Sequence, residues 1–403
     1  MSKLMHIGAA SILLLSTPIA ASDIDYGATI APIITQKCAA CHYRDGAGPF
    51  PLLRYEDVVS RAAMIKEVVA ERRMPPWHAD PDVGHFRNDR RLTVEEIRVI
   101  AAWIDAGAPR GATAAPVELQ RFPSQWRIGK PDALFTLPET VSIPATGLVP
   151  VKEYEVPSGF ARDTWINAIE IRPGNTKVVH HVVLTLKSDA HQNAFTPESP
   201  LVARYSPATG PTLLAPGQGM LIPRNATFVV RVHYMSCGKP ETDRTRFGFS
   251  IAGEAPAHPV RWATLSDANF LIPPNTSRFR VGAQGTVPAD MLVHALNASM
   301  NYRGQAIELV AHYPSGQSES LLRISHFDFD WLSDYVLEKP LLLPRDTRIE
   351  AIGYFDNSSG NSANPNPLVS VRAGQGATDE IFQGGLLYSW IIDAANGREL
   401  NTE

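Results

Sequence analysis

From Pro131 onward the sequence repeats one pattern: short β-branched or aromatic runs separated by Pro, Gly and Asn turns, with no helical period of useful length. Such runs lie at 154–156, 165–171, 178–186, 228–234 and 247–251. A second series begins near Ala263 and includes 278–281, 291–296, 307–312, 321–324, 348–354 and 386–390. Parallel pairing needs long crossovers, usually helical, so strands without intervening helices pair antiparallel. A chain of 403 residues should divide into two or three domains. The pattern therefore predicts two antiparallel sandwiches of jelly-roll type, at 131–262 and 263–403.

One run stands apart because it carries adjacent histidines, His180 and His181, among valines and leucines. Two buried imidazoles are costly without a partner, and a metal ion is a common one. His233 lies in another strand-like run, Val-Val-Arg-Val-His-Tyr. Three imidazoles without a nearby carboxylate or thiolate suit copper or zinc. Neighbours on a regular strand point to opposite faces, so His180 and His181 can share one ion only at a strand end, a twist or a bulge. Otherwise one histidine is a hydrogen-bonded core residue and the other faces solvent.

The N-terminal part has a different character. Lys3 is the only charge before Asp23, an apolar run at 12–15 follows, and Ala20, Ala21 and Ser22 are small. This predicts a secretory signal peptide at 1–22 and a periplasmic or secreted protein. Next comes Cys38-Ala39-Ala40-Cys41-His42, the attachment signature of c-type haem, in which two thiols bond the vinyl groups and the histidine binds iron. A zinc knuckle would need more cysteines, and a redox dithiol would need a βαβ context. Ile30, Ile33 and Ile34 predict a short helix entering the motif. Thr93 with Glu96 forms a capping box for a closing helix with Ile97, Ile100, Ala101 and Ile104 as its buried face and Gly107 at its end. Met74, ahead of two prolines, is the expected sixth ligand, with His78 or water as the alternatives. Six-coordinate iron has no open position, so this domain should pass electrons. Arg90 and Arg91 are either partners for haem propionates or a solvated approach to the helix. A haem domain at 23–115 and a linker at 116–130 precede the sandwiches, which makes the fold class mainly β with a small all-α domain.

Taken together, the chain resembles the copper type II, ascorbate-dependent monooxygenases (the peptidylglycine α-hydroxylating and dopamine β-monooxygenase family), in the bacterial form with an N-terminal cytochrome c domain. Framing segments match at 221–225, 238–246 and 354–361, as do 74–78 and 102–109. The resemblance implies one copper held by His180, His181 and His233 in the first sandwich. It also implies a second copper in the other sandwich on a His-x-His pair and a distant methionine. Here the first segment reads Ser299-Met300-Asn301-Tyr302-Arg303-Gly304 and the other Thr378-Asp379-Glu380-Ile381-Phe382, so all three ligands are missing. Hydroxyl and amide oxygens are poor ligands for copper(I). His294, His312 and His326 do not keep the spacing for a rescue.

Three readings follow. The first is an oxidoreductase exchanging electrons between haem c and a single three-histidine copper, with oxygen or another small oxidant reacting there. The second is a non-enzymatic electron-transfer or copper-binding subunit with a redox partner protein. The third is a binding protein that takes a small organic ligand around Ser299, Asn301, Arg303 and Phe382. A net charge of −4, spread along the chain, excludes a nucleic-acid or membrane-surface partner, and no apolar stretch after the leader is long enough to span a membrane. His85, His191 and His258 read as surface groups, and Cys237 as a buried or semi-buried free thiol.

Overall fold

The structure, a computed structural model, describes residues 24–44, 46–113, 126–187, 195, 201–207 and 209–391. The leader at 1–22, His191 and most of the expected linker lie outside the described residues. Strands make up 40% of the described residues and helices 12%, so the architecture is mainly β. Among the described residues no helix is long and apolar enough to cross a membrane.

Residues 24–113 form a small helical unit with its own core. A helical segment enters it, with π-type turns at Tyr26–Ile30 and Ile34–Cys38 around a single α-turn at Ala31–Ile33. Pro32 has no N–H to donate, and wide turns flank it. Ile30 and Ile34 are fully buried, as their spacing predicts, while Ile33 is only half-buried against the same core. The helix Val94–Asp105 is capped as expected: Glu96 N donates to Thr93 Oγ1, and the Glu96 carboxylate accepts from Thr93 N. Gly107 ends it at φ +84°, a conformation that favours glycine. Its buried stripe differs from the expected one. Val99, Ile100 and Trp103 are buried, whereas Ile97, Ala101 and Ile104 are only half-buried. The indole decides the rotation: Trp103 packs on Tyr26 at 5.7 Å and donates to Pro109 O at 2.9 Å.

The β region consists of two face-to-face sheet pairs. In the first, strands Ala133–Thr136, Arg246–Ile251, Thr164–Arg172 and Gln218–Ile222 pack against the four-stranded sheet of Lys152–Pro157, Thr227–Tyr234, Val179–Leu186 and Leu201–Tyr205. Phe135, Phe228, Phe247 and Phe249 meet at its centre, with Phe135 and Phe247 stacked at 5.0 Å. In the second, His258–Ser266, Phe382–Trp390, Met291–Met300 and Asp334–Leu343 pack against Phe279–Thr286, Arg348–Phe355, Gly304–His312 and Ser318–Ile324. A two-residue parallel contact, His258 with Gln218 and Pro259 with Gly219, joins the pairs edge to edge into one nine-stranded sheet. The strand His258–Ser266 changes core midway: Val260 and Trp262 belong to the first, Ala263 and Leu265 to the second.

The helical unit is docked on both pairs. Trp77, Ala79 and Phe86 enter the core of the second sheet pair, and Arg87 N donates to Val336 O while Glu338 N donates to His85 O. Residues 126–130 are pinned to the first sheet pair, since Arg127 N donates to the buried carboxylate of Glu170 at 2.6 Å. His85 and His258 are exposed as expected. Cys237 is not buried: it is an exposed free thiol in the turn after Thr227–Tyr234, where the chain has left the core.

Candidate functional site

His180, His181 and His233 come together. His181 is the direct cross-strand partner of His233, while Val179 pairs with Tyr234, so the register slips by one residue at His180. This is the bulge that adjacent histidines need to face one point. The three candidate donor nitrogens lie within 4.8 Å of one another, the one such group among the described residues. His180 Nδ1 and His181 Nδ1 are 2.8 Å apart. Metal–nitrogen bonds of about 2.0–2.1 Å put ligand atoms roughly 3–4 Å apart, so small ring rotations suffice to seat an ion.

Two surrounding features hold the cluster. His180 Nε2–H donates to Asp330 Oδ1 at 3.2 Å, which leaves Nδ1 with its lone pair towards the cluster. Asp243, buried at 2% exposure, accepts from Asn175 N, Tyr234 Oη, Thr245 N and Thr245 Oγ1. It thereby braces the turn before His180 and the residue after His233. Burial holds His181 well below the usual imidazole range, helped by the neighbouring His180, His233 and Arg204. Burial, then the charge of His180, brings His233 down to about 4. Both rings are neutral near pH 7, as ligands must be.

The second sheet pair forms the opposite wall. Phe329 lies flat on His180 at 4.2 Å and 22°, and Tyr302 packs on Phe329 at 4.6 Å. Neither aromatic nor Asp330 stood out in the sequence. A cleft of about 500 Å³ opens beside the cluster, with His181 and His233 on one side and Asn297, Ser299, Asn301 and Gln383 on the other.

At the expected second ligand site, the polar groups bond to protein. Ser299 Oγ accepts from Arg204 Nη1 at 2.6 Å, and Asn301 Nδ2 donates to Asp379 O at 2.9 Å. Arg303 and Glu380 form an ion pair at 1% and 0% exposure, with Asn357 and Thr378 completing the guanidinium's bonds. Phe382 is buried against Gly353, where a Cβ would come within 2.5 Å of the ring. Arg303 and Phe382 therefore do not line the cleft, whereas Ser299, Asn301, Asn297 and Gln383 do. His294 bonds Gln218 and Ser389, and His312 bonds Ser318 and Glu350, so neither joins a ligand set.

A second cavity, of about 710 Å³, lies where the helical unit meets the sheets. Cys38, Cys41, His42 and Met74 all line it, with Leu52, Ile65, Val68 and Val69 as apolar wall. His42 Nδ1–H donates to Phe50 O at 3.0 Å, leaving Nε2 free. Gly48 lies under this ring so closely that a Cβ would be 2.7 Å from Nδ1. Arg90 also lines the cavity, and its buried Nε–H has no acceptor. Thiols, an oriented imidazole, a thioether, apolar walls and an open cation suit a covalently held haem with its carboxylates. Arg91, by contrast, is paired with Asp89. His78 does not line this cavity; it is half-buried near Asp328 and His326.

No family model matches the chain, and no curated protein matches it. Among solved structures it is similar to the major capsid protein P2 from bacteriophage PM2, at 11% identity and a TM-score of 0.26, covering 66% of this chain and 99% of that one. The infectious bursal disease virus VP2 subviral particle gives 9% identity and 0.18, covering 67% and 83%. An allantoicase gives 10% and 0.16, covering 51% and 75%.

Proposed function

We propose that the chain is a periplasmic or secreted oxidoreductase with a c-type haem on Cys38, Cys41, His42 and Met74 and a single copper on His180, His181 and His233. In this reading it resembles the copper type II monooxygenases, with jelly-roll sandwiches, but its second copper site is lost. The observation that carries the reading is the bulge at His180, which turns three imidazoles towards one point. When bound, the haem and the copper supply one-electron redox chemistry.

The residues' own work is specific. Cys38 and Cys41 anchor the haem, and Phe50 O fixes the tautomer of His42. Asp330 fixes the tautomer of His180, and Phe329 shields that ring from water. The open cleft beside His181 and His233 favours a site that meets a small substrate or oxidant over a closed copper-binding or electron-transfer subunit. Ligand binding around Arg303 and Phe382 is the least supported alternative, because both side chains are committed to the interior.

The test is metal analysis of the purified full chain with a haem assay and a copper EPR spectrum. Iron near one and copper near one per chain, with nitrogen splitting, are expected. No haem, or two coppers per chain, overturns the reading. Oxygen uptake by the reduced protein separates the enzyme from the electron-transfer subunit.

A further inference from the structure

The second sheet pair contributes none of the three clustered histidines, yet one short turn of it reaches both candidate sites. The turn Phe329–Trp331 is capped by Asp328, which accepts from Asp330 N at 2.9 Å. Phe329 covers His180 and stands 5.4 Å from the ring of His233. Asp330 takes the Nε2–H of His180. Trp331 faces the other way and lines the cavity that holds Cys38, Cys41, His42 and Met74.

The turn is held from both sides. From the first sheet pair, Ser206 Oγ donates to Leu332 O, and Arg204 Nη2 pairs with Asp334 at 2.6 Å. From the helical unit, Arg90 Nη2 donates to Ser333 Oγ at 3.1 Å and Asn88 Nδ2 to Asp334 O at 2.8 Å. Two other parts of the chain thus converge on six residues of the second sheet pair, a convergence that core packing of the second sandwich alone does not require.

We propose that the second sandwich acts as the positioning element of the first sandwich's metal site: Asp330 and Phe329 orient and enclose His180, so metal binding and docking of residues 328–334 are thermodynamically linked. The inference rests on the three histidines being a metal site. A cation on Nδ1 makes the Nε2–H a stronger donor, which tightens its bond to Asp330 across the seam. Linkage is reciprocal, so a seated Asp330 tightens metal binding by the same factor. Asp330 and Phe329 are positioning residues; neither touches the ion.

The experiment uses the haem-loaded full chain and zinc(II), which is redox-silent and suited to three imidazoles. Wild type, Asp330→Asn, Asp330→Glu and Phe329→Leu are titrated, and amide hydrogen exchange is followed over 326–334. Asp330 is 62% exposed, so its replacement leaves the fold intact. Asp330→Asn should bind zinc(II) about 10–100-fold more weakly, and Asp330→Glu should recover most of the loss. Zinc(II) should slow exchange across 326–334 in wild type and not in Asp330→Asn. If wild type binds no zinc(II) or copper, the three-histidine reading itself fails. If wild type binds while Asp330→Asn binds equally well and exchange does not change, the positioning role is overturned.

Discussion

The guanidinium of Arg204, on the first sandwich, donates to Ser299 Oγ on the second at 2.6 Å. A fixed positive charge therefore stands beside the position where the resemblance leads one to expect the first ligand of a second copper. Arg204 also pairs with Asp334 at 2.6 Å, which offsets much of its charge, so the guanidinium closes the position by its bulk and its bond to Ser299 as well as by charge. Ser299→His with Asn301→His should consequently leave metal content near one ion per chain. Adding Arg204→Leu should raise it towards two. Elemental analysis of the two variants decides whether the arginine or the missing ligands alone closed the site.

Asp243 accepts four hydrogen bonds while buried, three of them on Oδ2. Asp243→Asn turns one oxygen into a donor facing other donors. The variant should lose about 2–4 kcal/mol of stability, read as a shift in denaturant midpoint. Its metal affinity should fall as well, because the braces beside His180 and His233 are lost together.

Gly48→Ala would place a Cβ at 2.7 Å from His42 Nδ1, a contact the backbone cannot relieve without displacing the ring. The bond from His42 to Phe50 O breaks, and the proximal imidazole loses its orientation. Haem incorporation should drop several-fold while the β-rich circular dichroism signal is retained. Ala40→Gly, in the same motif, serves as a control that should load normally.

His294 is brought down to about 4 by burial, with His258 and Arg87 adding to the shift. Below its ordinary pKa of about 6.5 the unfolded chain binds a proton that the native ring refuses. The stability it contributes is therefore complete above about 6.5 and is lost as pH falls towards 4. Denaturation midpoints of wild type and His294→Gln, followed from pH 7 to 4.5, should show a shallower acid loss in the variant.

Much of the fold is visible in the chain itself. The strand-like runs from 154 to 390 fall on strands, with only Val178 and Arg278 one residue outside, because alternation of apolar residues is a local property. The capping box at Thr93 and the stop at Gly107 are equally local. The strands Leu201–Tyr205, His258–Ser266 (marked only near Ala263) and Asp334–Leu343 escaped notice in whole or in part. The first and last mix charge into their apolar pattern, and the middle one switches cores midway. The closing helix turned its stripe towards Trp103 because one large indole outweighs the aliphatic spacing. Cys237 was misplaced since burial of a single thiol has no pattern to read.

The sequence by itself determined the candidate ligands. The spacing of Cys38, Cys41 and His42 and the adjacency of His180 and His181 are chemical statements that hold before any folding. Adjacency even demanded a strand end, a twist or a bulge, since two neighbours on a regular strand cannot face one point, and the structure supplies the bulge. Only the tertiary structure decided what surrounds them. Asp330 meets His180 across 150 positions and Arg204 meets Ser299 across 95, from different sheet pairs. Such meetings are set by how the two sandwiches share one sheet edge and pack along a seam, and no local periodicity encodes a contact between side chains so far apart.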